Sequence, residues 1–247
     1  MNKKMKVILI ISLIGNLFII YVAYKALGYR ASVNYFLDKY TNVVSEFSGR
    51  HVYEEDDNRL SADRQIDNRI VFLGSQITHG WDLNKYFPGF EAINRGISGQ
   101  RISGFLLRFK PDVVDLKPAA VLIEFSSYNF RPESSVREIE DYISSLADIA
   151  RMHAIEPILT SVIPVGKDFK TELEVPYNVL DSLREFNRWL QEYCRDNNLK
   201  FVDFYAIVAD SEGYFSTKYM GGQILLNEAG YDKISEATLS VLKELKE

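Results

Sequence analysis

The segment Ile70–Trp81, I-V-F-L-G-S-Q-I-T-H-G-W, limits what this chain can fold into more than any other stretch. A short apolar run, Ile70 to Leu73, stops at Gly74, and polar, helix-opening residues follow at once. A buried parallel strand running into a tight turn and a helix N-terminus has this pattern. The alternation continues to the C-terminus. Strands are expected at Ile70–Leu73, Glu91–Asn94, Ala119–Phe125, Pro157–Ile163 and Lys200–Phe204. Helices are expected near Ser103–Leu116, Ser134–His153, Leu180–Asn198 and Glu228–Lys246. Ile139, Ile143, Leu146 and Ile149 share one face of the second helix, and Tyr231, Ile234, Val241 and Leu242 share one face of the last. Such alternation specifies an α/β domain with a parallel sheet and helices on both faces. Ligands bind just beyond the carboxyl ends of strands in these sheets, so the turn after Leu73 is the first candidate site. The polar loop Lys167–Pro176 follows the fourth strand and is placed to line it.

A chain of 247 residues with 47% hydrophobic content can bury one such domain and carry a short extension. Its net charge of −5 supplies no basic surface of the kind nucleic acid requires. One cysteine, Cys194, excludes an intramolecular disulfide framework and a Cys-rich metal site. It lies in a helical pattern and is read as core packing. The three histidines, His51, His79 and His153, show no metal-ligand spacing with Asp or Glu, so neither metal nor cofactor is expected.

The N-terminus reads differently. Lys3, Lys4 and Lys6 precede Val7–Tyr24, a run of 18 residues without a charge. As a helix this run spans about 27 Å, close to the hydrocarbon thickness of a bilayer. Tyr21 and Tyr24 lie at its far end, where interfacial aromatics belong. The lysines ahead of the run, against Lys25 and Arg30 after it, favour a cytoplasmic N-terminus and an extracytoplasmic body. A cleaved signal peptide is the alternative, with Ala26-Leu27-Gly28 as a small-x-small site, but the apolar run is longer than an ordinary signal core. No cysteine closely follows the run, which argues against a lipid-modified cysteine. The expected organisation is an anchor over 1–28, a helical stalk with an acidic linker over 29–68, and the α/β domain over 69–247. In the stalk, Val33, Phe36, Leu37, Tyr40, Val44 and Phe47 fall on one helical face, and Glu54–Asn58 reads as a solvated acidic stretch.

Five segments of the domain resemble the SGNH (GDSL-type) hydrolases, in the same order and at the same intervals over about 69–245. Gly74-Ser75-Gln76-Ile77-Thr78 resembles the block whose Gly-Asp-Ser carries the nucleophile. Asn94-Arg95-Gly96-Ile97-Ser98-Gly99-Gln100 is similar to the second block, whose glycine offers a backbone N–H to the oxyanion. Ser127-Tyr128-Asn129-Phe130 stands where the family has Gly-x-Asn-Asp. Val202-Asp203 resembles the fifth strand, and Leu226–Tyr231 resembles the segment that follows Asp-x-x-His. The resemblance implies a three-layer α/β/α, flavodoxin-like fold preceded by one transmembrane helix, and is nearest the acetylhydrolase-like, carbohydrate-esterase branch.

By the same resemblance the nucleophile, aspartate and histidine positions hold Gln76, Gly222 and Leu225. An amide does not attack, glycine orients nothing and leucine carries no proton, so triad hydrolysis is not expected. The donors for an oxyanion fare better: the Gln76 backbone N–H, Gly99 and the Asn129 side chain. The plain alternatives are a structural cap at Asn129 and turns needing unusual backbone angles at Gly96 and Gly99. Three functions stay open. One is an inactive module that binds an acylated envelope glycan or an envelope protein. The second is an active esterase or acyltransferase rebuilt around Ser75, Ser127 and His79. The third is a purely structural envelope protein.

Overall fold

The computed structural model describes residues 2–46, 48–62, 68–130, 134–169 and 179–245. They form two compact units, 1–47 and 48–247. The first unit is one helix, α1 (Lys3–Glu46), which runs unbroken past the expected end of the anchor at residue 28. Its stretch Lys3–Leu37 includes an 18-residue window of mean hydropathy 2.5 and is long and apolar enough to cross a membrane. Val33, Phe36, Leu37 and Tyr40 are exposed, while the side chains of Val44 and Phe47 lie outside the described residues.

The second unit opens with α2 (Glu54–Ser61) and continues β1 (Arg69–Gly74), α3 (Gln76–His79), α4 (Leu83–Tyr86), β2 (Glu91–Gly96), α5 (Ile102–Asp112), β3 (Ala120–Ile123), α6 (Val136–Met152), β4 (Glu156–Thr160), α7 (Val179–Asp196), β5 (Lys200–Val202), α8 (Phe204–Val208), β6 (Met220–Gly222), β7 (Leu225–Leu226) and α9 (Glu228–Glu244). Strands β1–β5 form one sheet in the order β2-β1-β3-β4-β5, with every pairing parallel. Strand β1 is buried along its whole length, the condition that makes a parallel strand a continuous apolar run. Successive side chains alternate between two cores. Val71 and Leu73 face Phe105, Phe109, Ile143, Leu146 and Phe186 of α5–α7, whereas Ile70 and Phe72 face Trp81, Phe87, Phe204 and Ile234. The sequence therefore predicts the layers and all five strands. It does not predict the hairpin β6–β7, an antiparallel pair outside the main sheet.

Two expectations need correction. Glu54–Asn58 is not a solvated linker, because it forms most of α2, which buries Asp57 and Leu60. The compact unit accordingly begins at Ser48 rather than at residue 69. The cause is electrostatic as well as apolar: Asp56 and Asp57 pair with the buried Arg95 of the domain. The loop expected over Lys167–Pro176 is described only as far as residue 169.

Candidate functional site

Strand order reverses at β1, which pairs with β2 on one side and β3 on the other. The carboxyl ends of these three strands meet at the topological switch point, where open α/β sheets place their ligands. Gly74 and Gly96 lie opposite each other there. Both are required by close approach. A Cβ on Gly74 would collide with the Thr78 hydroxyl and the Glu124 carboxylate, and one on Gly96 would strike the His79 backbone. The reading of Gly96 as a position needing unusual angles is thus replaced by one of space. Gly99, at φ 76°, does adopt the left-handed conformation, and open space surrounds its missing side chain.

One buried carboxylate fixes the turn after β1. Glu124 follows β3, and its Oε2 accepts the Ser75 N–H at 2.9 Å, the Thr78 N–H at 3.2 Å and the Thr78 hydroxyl at 2.9 Å. Its Oε1 accepts the Ser75 hydroxyl at 3.0 Å. Burial pushes the Glu124 carboxyl above the usual range, against the pull of the donors from Ser75 and Thr78. Sequence reasoning missed this residue. The available signal was a single charged side chain inside the apolar run Ala119–Phe125.

Gln76 opens α3, so its backbone N–H belongs to the first-turn donors that a helix leaves unpaired. With only four residues, α3 contributes little dipole, and the expected helix-terminus contribution shrinks accordingly. The Gln76 side chain is 6% exposed, and both of its amide atoms, Oε1 and Nε2, are buried without a hydrogen-bond partner. Asn129 is also buried, but it is engaged at both ends. Its Oδ1 accepts the Ile102 N–H at 2.9 Å, and its Nδ2 donates to the Ser126 carbonyl at 3.0 Å. These bonds give it the role of a cap joining the end of β3 to the start of α5, with one amide hydrogen to spare.

Gly222 and Leu225 pair across the hairpin β6–β7, and β7 lies against α3. The hairpin is pinned by the Gly166 N–H, which donates to the Gln223 carbonyl at 2.9 Å. Leu225 is 43% exposed, unusual for a leucine beside a buried turn. A Cβ on Gly222 would meet the Leu225 side chain first, at 3.5 Å. The Tyr231 hydroxyl donates to the Ile77 carbonyl at 2.9 Å and ties α9 to α3.

The rebuilt-site candidates are not brought together. The Ser75 hydroxyl is fully buried on Glu124, while His79 directs Nδ1 to the Gly96 carbonyl at 3.1 Å. Ser127 lies buried in the turn before Asn129, and no described histidine or carboxylate bonds its hydroxyl. His51 and His153 lie elsewhere, in the turn before α2 and after the end of α6. Among the described residues no group of three or more His, Cys, Asp and Glu side chains could hold a metal. Burial pushes the Cys194 thiol up to about 12, so it is an inert packing group.

A charged cluster supports the site from below. Arg108, fully buried, donates to the Arg95 carbonyl at 2.8 Å, to Gln100 Oε1 at 2.7 Å and to Asp112. Arg95 bonds Asp57 Oδ1 at 2.6 Å and Asp56 Oδ2 at 2.9 Å, and stacks on Tyr53 at 4.6 Å. The Tyr53 hydroxyl donates to the Gly96 carbonyl at 2.6 Å. Residues 48–57 thus hold the strand that carries Gly96. Burial pushes the Asp57 carboxyl up to about 7; Arg95 opposes the shift and the Asp112 charge adds to it.

With this geometry in place, the chain can be set beside known proteins. The model of the GDSL-like Lipase/Acylhydrolase family matches residues 72–233, most of the second unit. The chain belongs to this family. A GDSL-like lipase from Bacteroides thetaiotaomicron is 27% identical, with a TM-score of 0.73, and the match covers 81% of this chain and 99% of that one. An acetylxylan esterase from Geobacillus stearothermophilus shares the fold at 18% identity and a TM-score of 0.56, over 72% of this chain and 95% of its own. An uncharacterized lipoprotein of Bacillus subtilis, YqeF, is 31% identical over 118 residues. That match spans 39% of this chain and about half, 49%, of the relative's length. The matched range takes in the carboxyl end of β1, all of β2 and β3, and the turns that follow them.

Proposed function

We propose that this chain is a membrane-anchored, extracytoplasmic member of the GDSL-like family that binds an acylated ligand of the cell envelope and does not hydrolyse it. The observation that carries the reading is Gln76. By the family resemblance its side chain stands in the nucleophile's place; it cannot attack a carbonyl, and it keeps a buried donor and a buried acceptor with no partner among the described residues. Gly222 and Leu225 remove the groups that would activate a serine, and the Ser75 hydroxyl is committed to Glu124. The apolar α1 supports the anchor, the lysines at its start support a cytoplasmic N-terminus, and a relative named as a lipoprotein fits an envelope setting.

The full chain in detergent micelles is the material for the test. It turns over no small acetyl ester above buffer, and acetylated oligosaccharides raise its melting temperature, because a ligand that binds only the folded state stabilises it. Turnover lost in Ser127→Ala or His79→Ala overturns the reading. One observation favours a second reading, a purely structural envelope protein: the Asn129 amide is already engaged at both ends. Absence of any shift with acetylated sugars selects it.

A further inference from the structure

The chemistry of Gln76 narrows the ligand class. Resting on the binding function proposed above, we infer that the group received at Gln76 is an N-acyl group, a secondary amide, and not the O-acyl ester on which this fold is built to act. A carboxamide presents one acceptor, Oε1, and donors on Nε2. Both atoms are buried and neither has a partner. Rotating the carboxamide by half a turn exchanges them, so in either orientation the site asks for one acceptor and one donor.

An ester answers only half of this demand. Its carbonyl and bridging oxygens both accept, so it can satisfy Nε2 and leave Oε1 bare. A secondary amide brings a carbonyl for the donors and an N–H for Oε1. Oε1 is already unpartnered before binding, so the N-acyl ligand gains there a hydrogen bond that an ester cannot make, a preference of about tenfold. Sites built around a buried polar group reject analogues that lack its partner for this reason. A serine in the same place would make no such distinction, since a hydroxyl both donates and accepts through one atom. The exposed Leu225, on the hairpin that packs against α3, adds an apolar surface for the acyl methyl. An N-acyl group can belong to an amino sugar or to an acylated peptide, and the probes separate these sources.

The experiment is calorimetric titration of the full chain in micelles with three probes: triacetylchitotriose, N-acetylalanine methylamide and O-acetylated xylotriose. The expected result is binding of triacetylchitotriose or the alanine amide at least about tenfold tighter than O-acetylated xylotriose. Preference for triacetylchitotriose assigns the sugar source, and preference for the alanine amide assigns the peptide source. In Gln76→Met, of similar length and without polar atoms, N-acyl binding falls by about tenfold or more and the discrimination between N-acyl and O-acyl probes disappears. Equal or tighter binding of O-acetylated xylotriose by the unmodified protein overturns this inference and leaves the binding function standing. Binding of none of the three overturns both. The probe comparison on the unmodified protein needs no variant, so it stands even if Gln76→Met does not fold.

Discussion

Replacing Asp57 by asparagine should make the domain more stable above neutrality and leave it unchanged in acid. Five charges face this position: Arg95 of β2, Arg108 and Asp112 of α5, and Asp56 and Arg59 on its own helix. Ionised, Asp57 brings these groups to three carboxylates against three guanidinium groups, but burial penalises its charge by more than Arg95 repays, and the Asp112 charge adds to the penalty. The carboxyl therefore moves from 3.8 to about 7 on folding. A raised carboxyl pKa means that the folded state holds its proton while the unfolded chain has released it. Stability is complete below the unfolded value and declines as pH rises from about 4 to 7, then levels off. An isolated acid with this shift would lose about 4 kcal/mol, and sharing the charge with Asp112 reduces the expected loss to about 2 kcal/mol. Asparagine removes the charge, and its Nδ2 can donate to Asp112 Oδ1, which has no partner. The assay is urea unfolding in micelles from pH 4 to 8, read by tryptophan fluorescence, since Trp81 and Trp189 both lie in the second unit. Glu124 adds a slope of the same sign in both proteins, so the difference between them isolates Asp57. A difference of about 2 kcal/mol at pH 8 that vanishes at pH 4 supports the account. An equal loss of stability in Asp57→Asn at every pH refutes it.

Three further outcomes follow from the site. Glu124→Gln sets an amide donor among the donors of Ser75 and Thr78, and urea unfolding should report a loss of about 2–3 kcal/mol. Gly96→Ala should destabilise by about 3 kcal/mol or prevent folding through collision with the His79 backbone, whereas Gly222→Asp should stay within about 0.5 kcal/mol of the parent; thermal melts compare the two. Cys194 should resist a thiol reagent at pH 8 in the folded chain and react on unfolding, because burial holds its thiol at about 12.

The architecture was legible because parallel strands buried on both faces read as apolar runs between helical patterns, as Ile70–Leu73 does. The hairpin was not, because Met220–Leu226 contains two adjacent glycines and strands too short for any alternation to register. The acidic run before the domain was misread because its meaning lies 38 residues away, in Arg95, and a local reading of charge sees only solvent. Gln76, Gly99 and Asn129 are candidates by resemblance to the family's blocks, and that resemblance does not give their partners. One of the bonds that occupy Asn129 reaches the Ile102 N–H at the start of α5, and the side chain of Gln76 finds none; no local pattern encodes either. Glu124 stood in plain view as the one charge in a buried strand segment.

The central claim is that a GDSL-like scaffold here retains a site without the chemistry, and ester turnover tests it most directly. Hydrolysis of p-nitrophenyl acetate is measured for the full chain in micelles and for the triple variant Gln76→Ser, Gly222→Asp, Leu225→His, with buffer and the Ser127→Ala and His79→Ala variants as controls. The account predicts no turnover above buffer by the unmodified chain and the appearance of turnover in the triple variant, since a Cβ at Gly222 is accommodated. Turnover by the unmodified chain that disappears with Ser127→Ala or His79→Ala would contradict it.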